Sequence, residues 1–273
     1  MIDSKYKLLV IDIDGTLLGK DGTISDMDID ALKQAGDAGV RVSLSTGRVV
    51  QASRPIIDYI GLDGYHVFFD GAFVYSPDKA EEVYVNPISE ELIRQMMDYA
   101  HRIGIDFDLY SDTRFFVERE SWATDIRREF FKMIPTVVEF NDICREERLI
   151  KGTLVAASDE DKAKAGDFAA HFKDSLSCSW TSTPAYPGID FINLVNKGVS
   201  KGRAMEALVG FLGIDLAEVM AIGDGLNDLT LLSTAGLAVA MEKAPDTLKE
   251  IADHVTLDVD NSGVAAAVKK FLL

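Results

Sequence analysis

Three short, apolar-rich runs in this chain each end in a cluster of small polar and charged residues. That repetition constrains the fold more than any other feature. Leu8-Leu9-Val10-Ile11 leads into Asp12-Ile13-Asp14-Gly15-Thr16, and Val40 to Leu44 leads into Ser45-Thr46-Gly47-Arg48. Val219-Met220-Ala221-Ile222 leads into Gly223-Asp224-Gly225-Leu226-Asn227-Asp228. Short apolar runs of this kind read as strands buried on both faces, as in parallel sheets covered by helices. In open α/β sheets, ligands bind at the carboxyl ends of the strands. Three strands delivering complementary polar groups at that edge point to a parallel α/β sheet with a ligand site along it.

The first run carries the sharpest chemistry. A buried strand ending in two carboxylates is costly unless something cationic offsets them, and a divalent metal is the simplest candidate. Alternation along an extended segment would point Asp12 and Asp14 the same way. Gly15 lets the chain turn, and Thr16 can hydrogen-bond a carboxylate oxygen. This suits one carboxylate as nucleophile and metal ligand, with the second beside it as acid and base.

Composition narrows the partners. The 273 residues are 47% hydrophobic, enough for one large domain or two smaller ones. The net charge of −17 opposes binding to nucleic acid or to anionic membranes. It also opposes phosphate esters, so a site for them must reverse the field locally with a lysine and a metal. Cys144 and Cys178 are the only cysteines and are far apart, which reads as free thiols in a cytoplasmic protein. No signal peptide is expected, and no apolar run approaches the roughly 18 residues that span a membrane.

Along the chain, the grammar changes twice. The first part reads as βα units: a helix capped by Ser25 and ending near Gly39, a helix over 55–60, and a strand over 66–69 ending in Asp70-Gly71-Ala72. Asp70 is either a turn residue or a fourth carboxyl-end site. From about Tyr84 the pattern becomes α+β: a helix capped by Ser89, strands near 107–110 and 114–118, and a helix over 159–172 capped by Ser158. Ser182 to Gly188 reads as a hinge back to the first domain. A helix opening at Lys201, the Val219 strand, a strand over 237–240 and a final helix over 264–271 resume the α/β pattern. The fold class is therefore α/β: a Rossmann-like parallel-sheet core over 1–83 and 188–273, interrupted by an inserted α+β domain over 84–187.

Asp12-Ile13-Asp14-Gly15-Thr16, Thr46-Gly47-Arg48, Lys201 within Gly198-Val199-Ser200-Lys201-Gly202, and Gly223-Asp224 through Asn227-Asp228 resemble the four signature motifs of the haloacid dehalogenase superfamily. The chain is most similar to the Cof-type hydrolases of subfamily IIB. The resemblance implies a phosphatase whose insert is a cap that closes over the site and supplies specificity. It implies that Asp12 attacks phosphorus to form an aspartyl-phosphate, and that Asp14 protonates the leaving alcohol and then activates water. It implies Mg²⁺ held by Asp12, the Asp14 carbonyl and Asp224. Asn227 and Asp228 complete the site, through water at the metal or by positioning Lys201. Thr46 and Gly47 would bind one phosphate oxygen and Lys201 another. Arg48 would bind substrate or bridge to the cap.

Three residues depart from the common subfamily pattern: Asp70 where Asn is usual, Asn193 where an acid is frequent, and Lys243 where Asn is frequent. None belongs to the phosphoryl-transfer motifs. The four histidines fit no metal spacing, and the segment from Asp258 to Asn261 reads as a solvated loop. The resulting expectation is a Mg²⁺-dependent phosphatase acting on a small phosphate ester, with sugar phosphates foremost, as a monomer or weak homodimer. The alternatives are a phosphomutase of the phosphomannomutase type and a non-enzymatic phospho-acceptor module. The second aspartate of the first motif argues against the latter, because a long-lived phosphoaspartate gains nothing from a neighbouring acid.

Overall fold

The computed structural model describes residues 5–131, 133–182 and 186–273. In chain order the strands are β1 (Leu8–Asp12), β2 (Arg41–Ser45), β3 (His66–Phe68), β4 (Phe73–Ser76), β5 (Glu81–Val85), β6 (Phe107–Tyr110) and β7 (Phe115–Val117). They continue as β8 (Thr136–Val137), β9 (Lys151–Ala156), β10 (Leu176–Ser182), β11 (Asp190–Asn196), β12 (Val219–Gly223), β13 (Leu237–Ala240) and β14 (His254–Val255). The helices are α1 (Asp26–Asp37), α2 (Val50–Ile60), α3 (Glu90–Ile103), α4 (Trp122–Phe131) and α5 (Phe140–Ile143). After them come α6 (Asp159–His171), α7 (Lys201–Leu212), α8 (Leu229–Thr234), α9 (Asp246–Lys249) and α10 (Gly263–Phe271). Among the described residues, no helix is long and apolar enough to cross a membrane.

The first sheet has the order β14-β13-β12-β1-β2-β3-β4-β5. From β14 through β3 all pairings are parallel, and β4 turns back antiparallel on β3. The chain moves outward from β1 to β2 and β3, then later moves the other way from β12 to β13 and β14. The switch of direction falls between β1 and β12, where open α/β sheets form their crevice. Every residue of β1 is buried. Leu8 and Val10 pack with Ala204, Leu208 and Leu231 from α7 and α8.

Local signals set the helix ends. The Ser25 hydroxyl accepts the Asp28 amide at the start of α1, and Ile29, Ala31, Leu32 and Ala35 form its buried stripe. In α2 the outcome differs from expectation: the helix begins at Val50, and Pro55 lies inside it. Val49, Ser53, Ile57 and Ile60 are all buried, the Ser53 hydroxyl donating to the Val49 carbonyl at 3.0 Å, so one buried face at helical spacing carries the helix through the proline.

The second unit comprises residues 49–53 and 85–199. Its sheet has the order β10-β11-β9-β6-β7-β8, antiparallel except for β7 with β8. Met96, Met97 and Ala100 of α3 and Ala165 and Phe168 of α6 join Phe107, Leu109, Leu154 and Ile192 in one core. The expected boundary at 187 is corrected here. β11 pairs along its whole length with β10 and nearly so with β9, so the insert extends to Val199 and the core resumes at Ser200. A central strand cannot leave the sheet it completes. The expected hinge at Ser182 to Gly188 includes 183–185, which lie outside the described residues. Asp258 is also not part of a solvated loop: it is buried, accepts the Asn261 amide and pairs with Lys243 at 2.6 Å.

Candidate active site

Asp12 to Thr16, Thr46 to Arg48, Ser200 to Gly202 and Gly223 to Asp228 lie in the first unit, along one edge of its sheet, while Gly198 and Val199 of the third motif belong to the insert. β1 ends at Asp12, whose backbone registers with Ser45 at the end of β2. β12 ends at Gly223, one residue before Asp224. Lys201 is the first residue of α7, which is capped by the Ser200 hydroxyl. A lysine at a helix amino end opposes the helix dipole. The structure supplies its compensation: the Lys201 ammonium donates to Asp12 Oδ1 at 2.5 Å and to Asp228 Oδ1 at 2.6 Å. Lys201 and Asp228 are fully buried and Asp12 nearly so.

Asp228 is held from its other side as well. Its Oδ2 accepts the backbone amides of Asp224 at 3.1 Å and Gly225 at 3.0 Å. Both oxygens are therefore engaged, which suits it to fixing Lys201. Thr16 donates to Asp224 Oδ1 at 3.0 Å, as its position in the first motif predicts. Gly15 has φ of +92°, and a Cβ there would lie 2.3 Å from Asp224 Oδ2. Glycine is thus required both by the turn and by the approach of the carboxylate.

Asp12, Asp224 and Asp228 each offer a carboxylate oxygen within 4.8 Å of the others. Among the described residues, one ammonium, that of Lys201, stands among these three charges. Burial, and then the charge of Asp228, raise the Asp12 carboxyl well above its usual range against the pull of Lys201. The same two causes push Asp224 up to about 6. Burial alone would lower the Lys201 ammonium, but Asp12 and Asp228 outweigh it and hold the group charged. The cluster carries surplus negative charge with hard oxygen donors, and that set fits a small dication such as Mg²⁺.

Asp14 does not join this cluster. The strand ends at Asp12 and the chain turns at Gly15, so alternation lapses just where it was invoked. The Asp14 side chain is 56% exposed, and Arg48 grips it with Nε to Oδ2 at 2.8 Å and Nη2 to Oδ1 at 2.5 Å. Of the groups expected on the phosphate, Thr46 is buried and its hydroxyl accepts the Arg48 amide at 3.1 Å. Gly47 lies beside Asp70: a Cβ there would be 2.8 Å from Asp70 Oδ1. The Arg48 guanidinium is turned to Asp14.

Asp70 is the residue whose role the sequence left open, and the structure brings it to this edge. Phe69, Asp70 and Gly71 all have positive φ (54°, 55° and 101°). Such a run is strained for side chains and persists only when its surroundings hold it. Here the Phe69 and Asp70 amides donate to the carbonyls of Arg48 and Thr46 at 3.1 and 3.0 Å. The result places Asp70 Oδ1 3.2 Å from the Asn227 amide nitrogen. The legible signal was Asp70-Gly71 at a strand end; the contact with Asn227 spans 157 positions and has no local signature. His66 is a structural histidine: buried, neutral, and accepting the Leu44 amide on Nδ1 at 3.1 Å. Burial lowers its pKa to about 4.

A family model for haloacid dehalogenase-like hydrolases matches residues 9–268. The chain is 28% identical over 280 residues to the 5-amino-6-(5-phospho-D-ribitylamino)uracil phosphatase YitU of Bacillus subtilis, covering 99% of each chain. It is 27% identical over 274 residues to YcsE, a phosphatase of the same name and organism, covering 99% of this chain and 98% of that one. A phosphatase of the haloalkanoate (HAD) enzyme superfamily from Bacteroides thetaiotaomicron superposes with a TM-score of 0.82 at 26% identity, over 100% of this chain and 98% of its own. A HAD subclass IIB sugar phosphatase superposes with a TM-score of 0.79 at 25% identity, over 98% of this chain and 100% of its own.

Proposed function

Since the chain belongs to the haloacid dehalogenase-like hydrolases and is a phosphatase, we propose that it is a Mg²⁺-dependent hydrolase of a phosphate monoester on a small polyhydroxylated alcohol, working through an aspartyl-phosphate on Asp12. One observation carries the reading. Asp12 sits at the end of the central strand, gripped by a buried lysine and beside Asp224, where three carboxylates face one ammonium. An anion without a cation would be repelled there, whereas a phosphate arriving with Mg²⁺ is attracted. The substrate class draws on the ribityl phosphate and sugar phosphate in the names of related proteins.

Asp12 Oδ attacks phosphorus and the bond to the leaving oxygen breaks, with its electron pair going to that oxygen. Asp14 gives this oxygen a proton, and the alcohol departs. Asp14 then takes a proton from water as the water oxygen attacks phosphorus. The bond to Asp12 breaks, and inorganic phosphate leaves. Thr46, Gly47 and Lys201 hold the non-reacting oxygens, and Lys201 is itself oriented by Asp228. Asn227 is assigned to the edge of the substrate site. Mg²⁺, bound by Asp12, Asp224 and the Asp14 carbonyl, would neutralise charge on the phosphate oxygens.

The test is a panel of phosphorylated sugars, sugar alcohols, nucleotides, pyridoxal phosphate and flavin mononucleotide, assayed for released phosphate with and without Mg²⁺. Preference for a sugar or sugar-alcohol phosphate supports the reading. Equal turnover of all esters, or full turnover in excess EDTA by a metal-free preparation, rejects it. Dependence on a sugar bisphosphate activator, with phosphate moved between positions, would establish a mutase instead.

A further inference from the structure

Arg48 is fixed from two sides before its side chain is considered. Its amide donates to the Thr46 hydroxyl, and its carbonyl accepts the Phe69 amide. From this anchored base the guanidinium reaches across to Asp14 and takes both carboxylate oxygens. The two side chains differ in exposure: 18% for Arg48 and 56% for Asp14. The exposed group is therefore held by the more buried one. Asp14 lies just past the end of β1 in a turn closed by the Gly15 amide on the Leu18 carbonyl and the Leu18 amide on the Ile13 carbonyl, so the backbone places the residue and the fork sets its exposed side chain. A carboxylate has about four lone-pair sites. The fork uses one on each oxygen and leaves one on each for a proton.

We propose that Arg48 is a positioning residue for Asp14: its forked grip sets the orientation of the acid and base, and it affects chemistry only through that carboxylate. This rests on the acid/base role assigned to Asp14 above and deepens it. Planar, two-point recognition is what guanidinium provides and ammonium does not. The proposal therefore separates Arg48 from a residue that binds the substrate's phosphate directly.

The test is a double-mutant cycle with three readouts. Arg48→Ala should lower kcat for an alkyl phosphate by about 30-fold, a typical share of acid–base catalysis, with KM changed less than about 3-fold. Free guanidinium ion should restore part of the lost rate, and Arg48→Lys should restore less than guanidinium does. In the Asp14→Asn background, Arg48→Ala should add nothing further, because a residue acting through Asp14 is silent once Asp14 cannot act. With 4-nitrophenyl phosphate, whose leaving group departs without a proton, Arg48→Ala should give a burst of nitrophenolate followed by slow turnover, because water activation still needs Asp14. A rise in KM with unchanged kcat, or losses that multiply in the double mutant, would overturn the proposal and return Arg48 to substrate binding. An Asp14→Asn variant with wild-type turnover would reject the role of Asp14 itself, an outcome distinct from multiplying losses. If Arg48→Ala melts markedly lower, guanidinium rescue and the Arg48→Lys variant still decide the question.

Discussion

Each of the two units buries a carboxylate against a cation, and the sums of their charges differ. In the insert, Asp108 accepts from Arg127 Nε at 2.9 Å and from the Tyr110 hydroxyl at 3.3 Å. This ion pair joins α4 to β6. In the core, Lys201 faces Asp12 and Asp228 directly, with Asp224 close by. The buried carboxylates Asp12 and Asp108 are both raised by burial first. Burial and perturbed protonation alone therefore do not mark a functional site. The imbalance does: a matched pair serves as a fastener, whereas a surplus of fixed charge at the sheet's switch point has a use only when a counter-ion or substrate arrives.

The largest effect expected from breaking this contrast is catalytic. Asp12→Asn should lower hydrolysis of 4-nitrophenyl phosphate by on the order of 10³-fold or more, since an amide attacks phosphorus poorly. It should not lower the melting temperature much, because it removes one of the mutually repelling carboxylates while Lys201 keeps Asp228. Retention of a tenth of wild-type activity would end the nucleophile assignment.

Next come the cations. Arg127→Met takes the guanidinium away from buried Asp108, which should cost about 3–5 kcal/mol. Adding Asp108→Leu should recover most of it, because a buried pair replaced by apolar groups is often neutral or better. Lys201→Met should lose a similar amount, but with a different rescue: Mg²⁺ should restore part of the melting temperature of Lys201→Met and none of that of Arg127→Met. Equal responses to Mg²⁺, read by calorimetry of both variants, would mean the two clusters are alike after all.

Much of this difference was legible in the sequence, and the reason is local. Buried strands end in small turn residues and polar groups within a few positions at Asp12, Thr46 and Asp224, so the edge and the residues gathered along it can be read directly. The Ser25, Ser89 and Ser158 caps were equally legible, because a cap is a short-range hydrogen bond. What depends on distant partners was not. β11 looks like a return to the core until its ladders with β9 and β10 are known. The hold of Arg48 on Asp14 crosses 34 positions, and that of Arg127 on Asp108 crosses from a helix to a strand. The direction of Asp14 failed for a related reason: alternation holds inside a strand, and β1 ends two residues earlier.

The smallest expected effect concerns protons and metal, and it separates the clusters without any substitution. Asp224 keeps its proton up to a pH of about 6 in the folded protein, whereas an unfolded aspartate loses it near ~3.9. Between those values the folded state binds more protons, so this contribution to stability is complete below about pH 4 and is lost as the pH rises through 6. For Asp224 alone it is on the order of 3 kcal/mol. Asp108, also raised by burial, adds a decline of the same sign. Mg²⁺ needs ionised ligands, so its binding should strengthen over the same interval, and at 100 times its Kd it would stabilise the fold by about 2.7 kcal/mol. In EDTA, the melting temperature should therefore fall from pH 4.5 to 7.5 through Asp224 and Asp12 in the core and Asp108 in the insert. With Mg²⁺, the core's share should disappear and the insert's share should remain. Asp224→Asn should abolish the Mg²⁺ shift and leave the residual decline in place, and Asp108→Leu with Arg127→Met should do the reverse. A Mg²⁺ shift of equal size at pH 4.5 and 7.5 would show that the ion binds without displacing protons, and the surplus charge of the core would then need another explanation.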